Sequence, residues 1–503
     1  MRARGAGSAR PSGTDAARPP RRFWKDYPNI YHLVTDELGL KEDDVFTPYL
    51  GSAFYSPDGL EATAPVFGDA PELPSPFGQV LATFENFKRL PVADRVTMGG
   101  LLAAILDLYR DEATFEAYDR MTAAELFRRC GLSDRLVDEF VAPTLRVGLF
   151  KDPSELSAAV SMELLYYYAL AHQTSFDVRW IKRGSIAESI IAPLAERLIA
   201  RHGLVVRGGC RVTGVDLDAG AATGVRFTDY SGGTPSEEAL EGLDGVVLAL
   251  GSKGMAGVMK GSEALAAAAP ELVRAGQLGG IDVAACRLWL DRRVPTLEPA
   301  NVFSRFPSLR GAGGTYFMLD QLQQDSEREL WAGEEPQGSV LACDFYGADR
   351  LLAELPEDED VVKLLVEELL PAAEPAFRGV NVVDAEVRRY PGAVSWFSPG
   401  SFASRPPLET AVSNVVCAGD WVRMGDREHG SKGLCQERAF VSGMEAANAL
   451  MRNGSLGQAG RDAQPYPVLP VRDDEPQVVA GRELNKLFAD AVAPLGLRPP
   501  WLA

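Results

Sequence analysis

Hydrophobic spacing divides the chain into a helical first part and a second part in which strands alternate with helices. Between residues 77 and 170, apolar residues recur at the three- and four-residue spacing of amphipathic helices. A further helix is predicted over 186–201, and the period then changes to two. The predicted strands are 204–207, 212–218, 223–228, 244–250, 283–291, 340–345 and 383–389. This order predicts an α/β fold.

The most informative stretch is 414–450, near the C-terminus. An apolar run of strand length ends at Gly419 and Asp420, a polar loop follows, and helical spacing begins at Leu434. A glycine lets another molecule approach the backbone, an acid can accept from a sugar hydroxyl, and a helix N-terminus carries partial positive charge. The pattern is therefore typical of a nucleotide-cofactor site, and an ordinary βα unit explains it equally well.

The two ends of the chain differ from the rest. Residues 1–22 hold six arginines and a single acid, Asp15, which is the composition of an organelle transit peptide; a disordered leader is the alternative. Residues 453–503 read as a polar, proline-rich strap followed by an amphipathic helix over 481–492. The polar face of that helix is not basic, which favours a packing helix over a membrane anchor.

Composition excludes several classes of function. The chain has 503 residues, 46% hydrophobic and 24% charged, with a net charge of −19. This acidity argues against nucleic acid or an anionic membrane as an electrostatic partner. No apolar run is long enough to span a bilayer, although peripheral membrane contact stays open. The six cysteines form no CxxC pair and the four histidines are scattered, so we predict buried thiols and no metal site.

The stretch 414–450 resembles the C-terminal FAD motif of the flavin amine oxidase and carotenoid desaturase superfamily. In that motif the strand end meets the ribityl chain and phosphate of FAD, and the helix N-terminus faces the flavin carbonyl edge. The resemblance implies cofactor contacts at Gly419, Asp420, Trp421, Leu434, Cys435 and Gln436.

Shorter segments resemble plant and cyanobacterial phytoene desaturases in the family's own order, over residues 23–452. They are Tyr27-Pro28-Asn29, Leu73-Pro74-Ser75-Pro76, the stretch 152–157, Arg183-Gly184-Ser185 and Phe303-Ser304-Arg305. The resemblance implies an FAD/NAD(P)-binding Rossmann-like domain, about 181–255 and 410–452. This domain is interleaved with a mainly helical and antiparallel-sheet substrate domain, about 70–180 and 280–390.

The same resemblance implies roles for three further residues. Val212 lies where the family's strand holds adenine through its backbone, and Gly251 ends a strand that faces the cofactor. A core valine and a simple turn are the competing interpretations. Arg305 is the candidate catalytic residue, steadying negative charge or a quinone acceptor; a surface salt bridge is the alternative.

One departure from the family concerns the dinucleotide fingerprint. The chain has no Gly-x-Gly-x-x-Gly following a strand and opening a helix. We therefore expect a Rossmann-like domain without its first βαβ unit. Either the sequence is truncated or the protein is a relative that lost tight FAD binding, and the intact C-terminal motif favours truncation.

The resemblance implies an FAD-dependent carotenoid desaturase or isomerase that takes a hydride from an apolar polyene. The alternatives are a flavin amine oxidase acting on a small amine and a non-catalytic carotenoid- or lipid-binding remnant. A long apolar tunnel would favour the desaturase, and a short polar cage the amine oxidase. We expect a plastid or cytoplasmic protein, not a secreted one, with no nucleic-acid partner.

Overall fold

The computed structural model describes residues 22–502 apart from residues 85 and 88. The predicted leader, residues 1–22, lies outside the described residues except for Arg22. The described strands are β1 (Arg22–Trp24), β2 (Ser52–Ser56), β3 (Gly59–Ala64), β4 (Val178–Trp180), β5 (Cys210–Asp218), β6 (Ala221–Asp229), β7 (Ser236–Glu241), β8 (Val246–Leu248), β9 (Gly280–Leu290), β10 (Ala300–Phe303), β11 (Gly313–Met318), β12 (Val340–Tyr346), β13 (Val382–Ser395) and β14 (Val415–Cys417).

The described α-helices alternate with these strands, and π-helical turns continue several of them. They are α1 (Pro28–His32), α2 (Glu42–Val45), α3 (Phe77–Phe84), α4 (Val92–Arg95), α5 (Gly99–Asp107), α6 (Glu112–Arg120), α7 (Ala123–Arg129), α8 (Asp134–Leu136), α9 (Ala142–Gly148), α10 (Ala158–Ala169), α11 (Ala192–His202), α12 (Ser252–Lys260), α13 (Glu263–Ala268), α14 (Pro270–Gly276), α15 (Leu319–Leu322), α16 (Glu327–Leu330), α17 (Asp349–Glu354), α18 (Asp358–Leu364), α19 (Leu370–Ala373), α20 (Gln436–Arg452), α21 (Gly457–Asp462) and α22 (Pro476–Val492).

A seven-stranded sheet, in the order β13-β9-β12-β11-β10-β2-β3, forms the largest sheet of the described chain. Its pairings are antiparallel apart from the parallel pair β10 and β2. The predicted strands at 283–291, 340–345 and 383–389 are confirmed as β9, β12 and β13. Every residue of β12 is buried, because this strand lies inside the sheet and both of its faces are covered.

A second, three-stranded antiparallel sheet joins β5, β6 and β7. The sequence predicts a turn over 219–222, made by Gly220, between the first two strands. This turn is confirmed, and the φ of 82° at Gly220 suits a residue without a Cβ. Strand β7 was not predicted from the sequence. All of its residues are exposed, so no apolar alternation marks it.

The third sheet is the parallel pair β14 and β8. Within the described chain these two strands have no other ladder partner. The strand predicted at 204–207 is wrong, because these residues have no strand beside them with which to form a ladder. Val205 and Val206 are consequently 77% and 64% exposed. An apolar run predicts a strand only where the fold supplies a partner.

The sequence predicts helix N-caps at Thr122, with Glu125 three residues later, and at Ser154 or Ser157; the caps at Thr122 and Ser157 are confirmed. The Thr122 hydroxyl accepts the Glu125 N–H at 3.1 Å, which fixes the start of α7. The Ser157 hydroxyl accepts the Val160 N–H at 3.5 Å at the start of α10. Helix α22 starts at Pro476, five residues before the predicted 481, since proline suits the first turn of a helix.

Candidate flavin site

The predicted strand–turn–helix of 414–450 is confirmed as β14, a turn and α20. Because β14 and β8 are parallel, their carboxyl ends meet at one edge. Gly419 has a φ of 135°, and a Cβ there would lie 3.1 Å from Trp421 Cδ1. Trp421 is buried and donates from Nε1 to the Leu250 carbonyl at 2.9 Å, which ties the two strand ends together. This edge is where open α/β sheets bind ligands.

The start of α20 is held by side chains of its own first turn. The Cys435 Sγ accepts the Arg438 N–H at 3.3 Å and so caps the helix. Burial raises the pKa of the Cys435 thiol to about 11, so it stays protonated near neutral pH. Cys435 therefore serves here as a cap and not as a nucleophile.

Glu437 joins α20 to the first helix of the described chain. Its carboxylate is fully buried and accepts the Asn29 N–H at 2.9 Å, the Asn29 Nδ2 at 2.7 Å and the Ile30 N–H at 3.0 Å. These bonds satisfy backbone donors at the start of α1, which an N-terminal helix turn leaves without partners. The glutamate of the family motif is thus a positioning residue in this fold.

Arg438 and Glu428 fasten the loop between β14 and α20. Arg438 is buried, forms an ion pair with Glu428 and donates to the Asp420 and Val422 carbonyls at 2.7 and 2.6 Å. Burial alone would raise the pKa of Glu428, but the charges of Arg438 and Lys432 outweigh it and lower the pKa to about 2. The loop that carries Asp420 is therefore held in place by charge.

Because His429 lies in the polar loop of the motif, the sequence predicts a solvated side chain, and this prediction is wrong. The side chain is 5% exposed. Its Nδ1 accepts the Ser431 N–H at 3.2 Å, which leaves Nε2 to donate to the Leu469 carbonyl at 3.1 Å. Burial lowers the pKa of the imidazole, so it stays neutral. The C-terminal strap covers this histidine.

A cavity of about 450 Å³, here called the flavin chamber, opens beside the start of α20. Leu434 and Gln436 line it from the helix side, and the seven-stranded sheet forms the opposite wall. Its other lining residues are Arg22, Trp24, Tyr27, Val147, Gly148, Phe150, Val283, Ala285, Phe317, Asp344, Tyr346, Tyr390, Ala393 and Val394.

The residues around the chamber fit a flavin. The Gln436 Oε1 is buried and accepts no hydrogen bond from the described residues, so it is available to a ligand donor. A Cβ at Gly251 would meet nothing within 4 Å, which leaves open space at the start of α12. The 17-residue helix α20 presents its N-terminus to the chamber. The described residues thus include groups for the flavin ring and ribityl end, but no Gly-x-Gly-x-x-Gly loop for a pyrophosphate.

Of the nine predicted site residues, Leu434 and Gln436 line the chamber, whereas the other seven are not among its lining residues: Val212, Gly251, Arg305, Gly419, Asp420, Trp421 and Cys435. Val212 is on β5 and 40% exposed. Arg305 lines a different cavity of about 240 Å³, has a left-handed φ of 54°, and forms an ion pair with the buried Glu61. This contact matches the salt-bridge alternative, and the adenine and catalytic roles of Val212 and Arg305 stay predictions.

A second large cavity, of about 400 Å³, is lined almost wholly by apolar side chains and is here called the apolar cavity. Among its lining residues are Phe54, Phe67, Val80, Phe87, Leu102, Ile105, Phe140, Leu165, Tyr168 and Phe176. Trp24, which lines the flavin chamber, stands against this wall: its ring centroid lies 4.7 Å from that of Phe176. Aromatic side chains therefore separate the two cavities.

Sequence reasoning missed a polar group on the sheet wall of the chamber. Asp344 and Tyr346 lie on β12, and the Tyr346 hydroxyl donates to Asp344 Oδ2 at 3.2 Å. The signal was present, because an aspartate interrupts the otherwise apolar run of the strand predicted at 340–345.

Comparison with known proteins covers the described region as far as residue 451. The family model described as flavin containing amine oxidoreductase matches residues 19–451. The 15-cis-phytoene desaturase of Synechococcus elongatus is 24% identical over 405 residues, which is 79% of each chain. A 15-cis-phytoene desaturase of an Oncidium hybrid cultivar is 23% identical over 445 residues, 86% of this chain and 68% of the other.

Solved structures share the fold. Cyclohexylamine oxidase from Brevibacterium oxydans has a TM-score of 0.55 and 14% identity, covering 86% of this chain and 87% of that one. An oxidoreductase from Methanosarcina mazei has a TM-score of 0.51 and 17% identity, with 80% and 82% covered. The predicted fold class, an FAD-binding α/β fold with a helical substrate part, is confirmed.

Proposed function

Because the chain belongs to the flavin-containing amine oxidoreductase family, whose members are FAD-dependent oxidoreductases, we propose that it desaturates or isomerises an apolar polyene with FAD. The flavin, when bound, supplies the hydride acceptor. Leu434 and Gln436, at the start of α20, would contact the flavin, and the apolar cavity would keep the substrate away from water. FAD itself, and a role in carotenoid biosynthesis, are parts of this proposal.

The observation that carries the proposal is the apolar cavity beside the flavin chamber. Burial of a chain of conjugated carbons in an apolar cavity is favourable along its whole length, by about 25 cal/mol per Å² of apolar surface removed from water. A small amine has no use for 400 Å³ of apolar space next to the chamber. The ring contact of Trp24 with Phe176 puts this cavity directly beside the chamber.

The amine oxidase alternative has one observation in its favour. The chamber is lined by a carboxylate, Asp344, and by the aromatic rings of Phe150, Tyr346 and Trp24. Carboxylates and aromatic faces both attract ammonium groups. The two functions therefore differ in which cavity the substrate fills.

The experiment starts from an absorption spectrum of the purified protein, with flavin quantified after acid release. The flavin-loaded protein is then given a linear polyene in detergent with a quinone acceptor, and separately a primary amine. We expect new absorption at longer wavelength from the polyene and no amine oxidation. Amine oxidation without polyene conversion, or a folded protein that binds no flavin under any condition, would overturn the proposal.

A matched pair of variants locates the substrate. Leu102→Glu places a charge in the wall of the apolar cavity, whereas Val479→Glu places one on the exposed side of α22. Because an unpaired charge in an apolar site is costly, we expect Leu102→Glu to weaken polyene binding at least about tenfold. Val479→Glu should bind as the unchanged protein does, and both should keep their flavin spectrum.

Peripheral contact with a lipid surface belongs to the same proposal. No helix in the described part of the chain has the length and apolarity to cross a bilayer. Helices α3 and α22 begin side by side, since Ser75 N–H donates to Glu475 Oε2 at 2.9 Å. Both expose large apolar side chains, namely Phe77, Leu81, Leu484, Leu487 and Phe488.

The negative net charge disfavours attraction to anionic headgroups, so this contact is apolar. Co-flotation with neutral phosphatidylcholine vesicles tests it, and loss of flotation in a Leu484→Glu, Leu487→Glu variant is the expected result. Flotation that requires anionic lipid would contradict it. Residence in a plastid or the cytoplasm stays a prediction, which localisation of a fluorescent fusion of the full chain would test.

A further inference from the structure

The polar group on the sheet wall of the flavin chamber centres on Asp344. Side chains alternate along β12, so Leu341, Cys343 and Phe345 enter one apolar cluster while Asp344 and Tyr346 face the chamber. Asp344 is 1% exposed. Among the described residues that line the chamber, it is the one that carries a carboxylate. The α20 end of the same chamber carries Leu434 and Gln436.

The neighbours of Asp344 form a hydrogen-bonded chain. The Tyr346 hydroxyl donates to Asp344 Oδ2 at 3.2 Å and lies 3.0 Å from the Thr315 hydroxyl, on the adjacent strand β11. Burial, and then the charge of Asp344, raise the pKa of Tyr346, so its hydroxyl keeps its proton and acts as a donor. The ring of Tyr346 is stacked on Phe150 at 4.3 Å between centroids, which fixes its position.

Desaturation removes two hydrogens from adjacent carbons, and the two leave differently. One departs with its electron pair, and the flavin, when bound, accepts it as a hydride. The electron deficiency left on the substrate is spread over the polyene and makes the hydrogen on the neighbouring carbon acidic. That proton needs an acceptor inside a cavity that excludes water.

We propose that Asp344 is this acceptor, an inference that rests on the proposed desaturase function. A carboxylate oxygen of Asp344 takes the proton from the carbon, the C–H electron pair becomes the new C=C bond, and the carboxyl group then returns its proton to the solvent. The substrate loses one hydride, for which a bound flavin would supply the acceptor, and one proton, which Asp344 would carry. Tyr346 acts through Asp344, as a positioning residue that orients the carboxylate.

The experiment compares three conservative variants of the flavin-loaded protein. Asp344→Asn keeps the shape of the side chain but accepts no proton, and Tyr346→Phe removes the hydroxyl that orients it. Asp320→Asn is the matched control, because Asp320 is also a buried aspartate of this sheet region, accepts from the Ser339 hydroxyl at 2.9 Å, and lines no part of the chamber. Each is measured for turnover, equilibrium polyene binding by tryptophan quenching, and thermal stability.

We expect Asp344→Asn to lose about 10²- to 10⁴-fold in turnover with polyene affinity changed less than about threefold. Tyr346→Phe should lose about tenfold in turnover. Asp320→Asn should keep the turnover of the unchanged protein even if its thermal stability falls. An infrared difference spectrum of one anaerobic turnover should show a newly protonated carboxyl group that is absent in Asp344→Asn.

Two results would overturn the inference. Equal turnover of Asp344→Asn and the unchanged protein would leave the desaturase function standing and remove the role of Asp344. A loss of binding in Asp344→Asn that matches its loss of turnover would make Asp344 an anchor and not a proton acceptor. Failure of the proposed function is a separate result, because the unchanged protein would then convert an amine and no polyene.

Discussion

Apolar strands are covered to different extents in the seven-stranded sheet and in the parallel pair β8 and β14. Strand β12 has neighbours on both edges and is buried on both faces. Strand β8 is hydrogen-bonded along one edge, within the described residues, and its Val247 is 43% exposed. Parallel strands are normally found in sheets covered on both faces.

The difference shows what each region contributes. The large sheet is covered on both faces at β12 and supplies the residues that line the substrate side of the chamber, including Asp344. The parallel pair carries the cofactor side through the turn at Gly419, and it is fastened by single contacts such as Trp421 to the Leu250 carbonyl. The large sheet lines the flavin chamber directly, whereas the parallel pair leads through the loop after β14 to the start of α20, which lines the same chamber with Leu434 and Gln436.

The largest effect that we predict comes from truncating one apolar side chain in β12 and one in β8. Leu341→Ala, in β12, removes a fully buried side chain and should cost about 2–5 kcal/mol in the free energy of unfolding. Val247→Ala, in β8, removes a half-exposed one and should cost less than about 1 kcal/mol. Urea unfolding of the three proteins, followed by circular dichroism, measures both values.

Equal costs for the two variants would break the comparison, because they would mean that β8 is covered in solution. Amide hydrogen exchange then distinguishes the causes. Protection of β8 that depends on protein concentration indicates association between copies. Protection that appears only with flavin indicates that the cofactor orders this edge.

Local pattern was enough to predict part of the fold, but strands β2, β3, β10 and β11 of the large sheet were not predicted. Strands β9, β12 and β13, the Gly220 turn and the caps at Thr122 and Ser157 depend on nearby sequence, and all were predicted. The error at 204–207 arose from a strand's need for a partner, which a sequence window does not contain. The division into domains stays a prediction.

Less of the candidate site than of the fold could be predicted from the sequence. The motif placed Leu434, Cys435 and Gln436 together, and the structure brings the first and last of these to the chamber. It did not indicate that Glu437 holds α1, nor that Asp344 reaches the chamber from a strand about ninety residues earlier in the chain. Such pairings follow from packing, because the residues are distant in sequence.

The smallest effect we predict concerns the charge that fastens the cofactor loop. The pKa of Glu428 falls from its ordinary 4.5 to about 2 in the fold, so the folded state binds fewer protons than the unfolded chain between these values. The stabilisation of the folded state by the Glu428 carboxylate is therefore complete above about pH 5 and is lost as the pH falls towards 2. Glu428→Gln should remove this part of the acid dependence of the melting temperature.

The matched control is Glu359→Gln, on the exposed side of α18 next to the large sheet. It should leave the acid dependence unchanged, because an exposed glutamate there is not clamped between cations as Glu428 is by Arg438 and Lys432. If both variants change the acid dependence of the melting temperature to the same extent, the loop is not held by charge. The cofactor side would then depend on packing, as the large sheet does, and the contrast between the two regions would rest on strand coverage alone.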